Sequence, residues 1–88
     1  MFEWDEEKAE RNQAKHSVSF PFAARAFDDE HRVTVINNRH DYRETRYITL
    51  AKIDNRLYVV AFTIRLSSIH LVSARKANQK EVKRYDNY

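Results

Sequence analysis

The stretch RYITLAKIDNRLYVVAFTIR (46–65) decides how this chain folds. Two runs alternate with period two on either side of Asp54-Asn55, a dipeptide suited to a two-residue hairpin turn. Ile53 then lies opposite Arg56, and Arg46 opposite Thr63. The pleat sends Tyr47, Thr49, Ala51, Tyr58, Val60 and Phe62 to one face. It sends Arg46, Ile48, Leu50, Lys52, Val59, Thr63 and Arg65 to the other. Two cations, Arg46 and Arg65, therefore meet at one edge of an otherwise apolar face.

Working outward, SSIHLVSAR (67–75) follows a tight Leu66-Ser67 connection and continues the sheet. The face each of its residues takes depends on that loop, which the sequence leaves open. VTVIN (33–37) is a further short strand. Before it, Asp5 is placed to cap a polar helix running from Glu6 to about Lys15, with Glu6 and Glu7 in its first turn. Ser19 is placed to cap a second helix, with Pro21 in its first turn and Phe20, Ala23, Ala24 and Phe27 at helical spacing. A last helix is expected from about Lys76 to Tyr85. The fold class is α+β. Two N-terminal helices pack on an antiparallel sheet of about four strands, with a C-terminal helix, in a single domain over 1–88.

Eighty-eight residues allow one modest core. The chain has no cysteine, which excludes disulfides and a thiol nucleophile, and no glycine, which excludes phosphate-cradling Gly loops. No apolar run approaches the length of a membrane span, and MFEWDEEK is acidic where a secretion signal is basic. A cytoplasmic location is the expectation. Charged residues make up 33% of the chain, with a formal net charge of +3. Asp5, Glu6, Glu7 and Glu10 gather near the start; Arg75, Lys76, Lys80, Lys83 and Arg84 gather near the end. A basic end favours an anionic partner.

FEWDEEKAERNQAKHSVSF, AARAFDD, the 46–65 hairpin and LVSARKA together resemble the BrnT family of type II toxins, in order and spacing, from Phe2 to about Tyr85. The resemblance implies a RelE-like ribonuclease fold and RNA as substrate. It implies neutralisation by a BrnA-like antitoxin with a ribbon-helix-helix part that reaches operator DNA, in a hetero-oligomer such as a heterotetramer, with no membrane partner. Ser17, Arg43, Asn55 and Leu66 stand where the family usually has glycine.

RNA cleavage without a metal needs the 2′-OH deprotonated, the phosphorane charge stabilised and the 5′-oxygen protonated. Arg and Lys supply charge, and His, Glu, Lys or Tyr move protons. The candidates for charge are Arg46, Arg65, Arg75 and Lys76. Those for proton transfer are His40, Glu81 and Tyr85, with His70 also available. Lys8, Arg43, Lys52 and Lys80 are expected to contact RNA. No acid close in sequence is expected to neutralise the cations. His16 is expected to be structural, bonded near Trp4 or Asn12. The histidines lack ligand spacing, so neither a metal site nor a cofactor is expected. The alternative is a non-catalytic binding module that holds the antitoxin and assists repression at DNA.

Overall fold

A computed structural model describes residues 1–37 and 44–88. In chain order its elements are β1 (Phe2–Glu3), α1 (Glu6–His16), α2 (Phe20–Ala23), a 3-10 turn (Ala24–Asp28), β2 (Val33–Asn37), β3 (Arg46–Ile53), β4 (Arg56–Arg65), β5 (Ser68–Lys76) and α3 (Gln79–Asp86). The five strands form one mixed sheet in the order β1-β5-β4-β3-β2.

The hairpin has the expected register, with Arg46 opposite Thr63 and Ile53 opposite Arg56. Asp54 and Asn55 both take positive φ, 50° and 68°, as a twist-matched two-residue turn requires. The expectation of about four antiparallel strands is corrected. β1 adds a fifth strand, parallel to β5, through Phe2–Ile69 and Glu3–His70. Two residues show no periodicity, so a strand this short leaves no pattern to read.

The open question of which face β5 presents is settled by a bulge. Arg65 pairs with Ser68 and Phe62 with Leu71, but Ala61 pairs with Ser73, so Val72 is the extra residue. Arg75 thereby lies opposite Val59 and Lys76 opposite Tyr58. The two neighbouring cations point to opposite faces of the sheet.

The closed face packs under the N-terminal helices. Phe20, Ala23, Ala26, Ala51 and Val60 are fully buried there with Leu71 and Phe62. Phe27 packs edge-on to Phe62 at 5.0 Å, and Phe22 to Tyr58 at 5.3 Å. Phe20, Ala23 and Ala26 are spaced by three, the period of a 3-10 helix. That spacing explains why the expected helix to Phe27 tightens after Ala23. The caps at Asp5 and Ser19 form as expected, accepting from Glu7, Lys8 and Phe22 backbone N–H groups.

The other face is apolar at Leu50, Leu57 and Val59, partly covered by Ala77 and Tyr85. Here α3 starts at Gln79, three residues later than expected. The Ala77 N–H still donates to the Leu57 carbonyl at 3.0 Å, so the sheet ladder holds the chain extended. Asn78 then caps the helix in a reciprocal box with Glu81.

Ser17 and Leu66 also have positive φ, 60° and 54°. Leu66 is fully exposed, so no packing offsets the left-handed conformation, which costs a non-glycine residue about 1–2 kcal/mol. Glycine removes that cost but adds entropy to the unfolded chain. Leu66→Gly is expected to stabilise the protein by about 0.5–1 kcal/mol, and Leu66→Ala to leave it near the starting value, both read by urea denaturation.

Candidate active site

A cleft of about 330 Å³ opens on the second face of the sheet. Its floor is apolar, from Val33, Val35, Ile48, Leu50 and Val59, and Arg75, Glu81 and Arg84 stand at its rim. β5 delivers Arg75 from below and α3 delivers Glu81 and Arg84 from above. The floor lowers the local dielectric, which strengthens the field of charges placed against it.

Arg75 is not alone there. Its fork donates to both Glu81 oxygens, at 2.9 Å and 2.7 Å, and to the Lys76 carbonyl at 3.2 Å. The bond from Arg75 holds the Glu81 carboxyl below its ordinary range, against the opposing effect of burial and with help from the Asn78 N–H. Glu81 thus ties α3 to β5 and caps α3 at once.

Tyr85, one turn on, faces a different partner. Its hydroxyl donates to Asp29 Oδ2 at 2.6 Å. Burial and that bond push its pKa up to about 12. Asp29 also accepts from the backbone N–H groups of Lys52 and His31, both at 2.8 Å. Burial raises its pKa, but these bonds outweigh burial and hold the carboxyl below its ordinary range. Lys52 Nζ lies 5.5 Å from the Tyr85 ring centroid.

Arg46 shares the cleft's face of the sheet, two residues before Ile48, and pairs in register with Asn37. Arg65 lies further along. It donates to Glu44 through Nε at 3.1 Å and Nη2 at 2.7 Å. The His70 ring nitrogen beside it also meets Glu3 at 3.1 Å. The expectation that the cations lack acidic partners is therefore corrected for Arg65 and Arg75. Both partners, Glu44 and Glu81, come from segments that the strand pattern could not align with them.

Among the described residues singled out from sequence, Arg75 and Glu81 come into contact at the cleft. Lys76 is exposed on the other face of the sheet, and Lys80 is exposed on α3. Lys8 is on α1, away from the cleft. His40 and Arg43 lie outside the described residues. His16 makes no hydrogen bond to Trp4 or Asn12; Trp4 donates instead to Glu6 at 2.8 Å. Sequence reading missed Arg84 as a cleft residue and Asp29 as the partner of Tyr85. The spacing of Glu81 and Arg84 on one helix could have found the first; nothing local marks the second. Among the described residues, no group of three or more His, Cys, Asp or Glu side chains could hold a metal ion, and no helix is long and apolar enough to cross a membrane.

A family model described as the ribonuclease toxin BrnT of type II toxin-antitoxin systems matches residues 4–81. The chain belongs to the BrnT family. The match spans α1, the hairpin, β5 with Arg75, and α3 as far as Glu81. No curated protein matches the chain significantly. BrnT toxins are the toxin half of a type II module, so an antitoxin partner and an RNA substrate follow from membership.

The Arg75–Glu81 clasp has a pH signature. Because the folded pKa of Glu81 is lowered, its contribution is complete above the unfolded value near 4.5 and is lost as pH falls through the folded value. Wild type is expected to be more stable than Glu81→Gln at neutral pH. The difference should shrink steadily below about pH 4.5, read by urea denaturation across pH.

Proposed function

We propose that the chain is a metal-independent endoribonuclease toxin that seats a phosphodiester in the cleft between β5 and α3. The observation that carries this reading is the pair Arg75 and Arg84 at the rim of an apolar floor. There, guanidinium donors can meet the charge that develops on a phosphoryl group. Arg75 is held from two sides, by the strand and by α3, which supports a role in placing donors for the transition state. Arg46 extends the cationic face along β3, and Arg65 lies at its far end. Glu81 and Tyr85 take the positioning role in this proposal, since each is engaged in docking α3. His40 remains the candidate for moving a proton.

The toxin would inhibit translation and growth, and a BrnA-like antitoxin would neutralise it by covering the cleft. Through its ribbon-helix-helix part the antitoxin would carry the complex to operator DNA in the cytoplasm, as a hetero-oligomer such as a heterotetramer. An apolar cleft with a cationic rim suits an acidic or hydrogen-bonding segment of that partner.

One observation favours a non-catalytic binding module instead: both Nη atoms of Arg75 already donate to Glu81. If Arg75 only holds α3 in place, removing either partner should have the same effect. If Arg75 stabilises phosphoryl charge, only Arg75 should matter strongly. Arg75→Lys keeps the charge and loses the planar fork. Cleavage of RNA by the purified protein is expected to fall at least tenfold, about 1.4 kcal/mol of transition-state stabilisation, while Glu81→Gln retains most activity. Equal losses in the two variants, or none in either, would favour the binding module. Growth arrest on induction without antitoxin is the matching test in cells.

Antitoxin affinity is expected to weaken between low and high salt, as attraction between rim charges does. Calorimetric titration at several salt concentrations checks this, and a salt-independent affinity would remove the electrostatic part of the proposal.

A further inference from the structure

We propose that the flank of α1 formed by Lys8, Arg11 and Lys15 is a second RNA-backbone subsite, which takes phosphates flanking the one in the cleft. The identity of the strand rests on the ribonuclease reading above; the binding itself does not.

α1 sorts its charges by side. Lys8, Arg11 and Lys15 recur at i, i+3 and i+7 and share one flank. Glu6 and Glu10 share another, and Asn12 faces the core. All three cations are exposed, and among the described residues none has an acidic partner. Glu7, one turn before Arg11, does not pair with it. Arg25, Arg65 and Arg75 elsewhere are each held by a carboxylate. The donors on the basic flank of α1 are therefore open to an outside anion.

The flank is also shaped. Together with His16 of α1 and Val72 and Ser73 of β5, these cations line a groove of about 240 Å³. The groove runs along the outer edge of β5, past the end of β1, whose pairing with β5 stops at His70. Ser73 pairs with Ala61, and Arg75 pairs with Val59, on the same face of the sheet. Two residues of strand separate them, roughly 7 Å. A strand with one phosphate beside Arg75 thus passes over Ser73 into the groove without leaving the surface. Three unpaired cations beside a groove suit backbone contact without sequence preference.

The test uses single-stranded RNA made uncleavable by 2′-O-methyl groups, with affinity measured across salt concentrations. For single strands the slope of log affinity against log salt is roughly 0.7 per neutralised phosphate. The triple variant Lys8→Gln, Arg11→Gln, Lys15→Gln is expected to lose about 2 units of slope, and at least about tenfold in affinity at low salt. Gln is a good helix former, and single substitutions, each expected to remove about 0.7 of slope, serve if the triple variant fails to fold. Glu6→Gln with Glu10→Gln controls for net charge, and its slope is expected to stay at the wild-type value. Cleavage of a dinucleotide, which has no phosphate flanking the one beside Arg75, should fall far less in the triple variant than cleavage of longer RNA.

A wild-type slope and affinity in the triple variant would overturn the proposal. So would a loss confined to antitoxin binding, which would make the flank a protein interface. If wild type cleaves nothing yet the slope falls as expected, the ribonuclease reading fails and the subsite stands. If wild type does not bind the RNA, both fall.

Discussion

The carboxamide of Asn12 holds this fold together. Its Nδ2 donates to the Val18 carbonyl at 3.0 Å and the Ala74 carbonyl at 2.9 Å, and its Oδ1 accepts from the Ala74 N–H at 3.1 Å. A side-chain amide carries the same donor and acceptor as a peptide unit, so Asn12 acts on β5 as one residue of a neighbouring strand would. It takes up the β5 edge where β1 has already ended. Ala74 is fully buried, and each backbone group left unpaired there would cost about 1–3 kcal/mol. That single contact seats α1 against the sheet and fixes the turn at Val18. It also fixes the strand position immediately before Arg75.

From that anchor the two faces of the sheet diverge. The face under the helices is closed by aromatic packing, including the stacked pair Tyr47 and Phe62 at 5.4 Å. The opposite face is only half covered. α3 is a short, strongly polar helix with no buried residue, so apolar burial contributes little to its position. Its own cap, the Arg75–Glu81 clasp and the Tyr85–Asp29 bond hold it instead. The cleft exists because a polar helix stands on an apolar floor at a distance set by those contacts.

How much of this could be read from the sequence depends on the range of the interaction. The hairpin was legible because strict alternation and Asp54-Asn55 specify the same register. The caps at Asp5 and Ser19 were legible because they act over three residues. β1 was not, since it pairs with Ile69 and His70 across nearly the whole chain. The start of α3 was misplaced because KANQKEVKRY has helical composition throughout, while the ladder to Leu57 keeps its first residues extended. In the site, Arg75 and Glu81 could both be nominated by chemistry, but not their pairing. Arg65 could be nominated, but not its capture by Glu44. Charge pairs between elements carry no periodic signal, so they become visible only once the elements are in place.

The bulge at Val72 has a bearing on how this strand tolerates change. Counting from the Leu66-Ser67 turn alone, an unbroken ladder would set Arg75 opposite Tyr58, on the closed face. Counting from Asn12 and Ala74 sets it opposite Val59, over the cleft. The two ends of β5 are thus out of phase by one residue, and Val72 is where the difference is absorbed. Removing that residue would let the ladder run straight and leave Arg75 where it is. The strand is therefore indexed from its anchored end, and its slack lies midway, where the loss of one residue would not turn the cleft's cation inward.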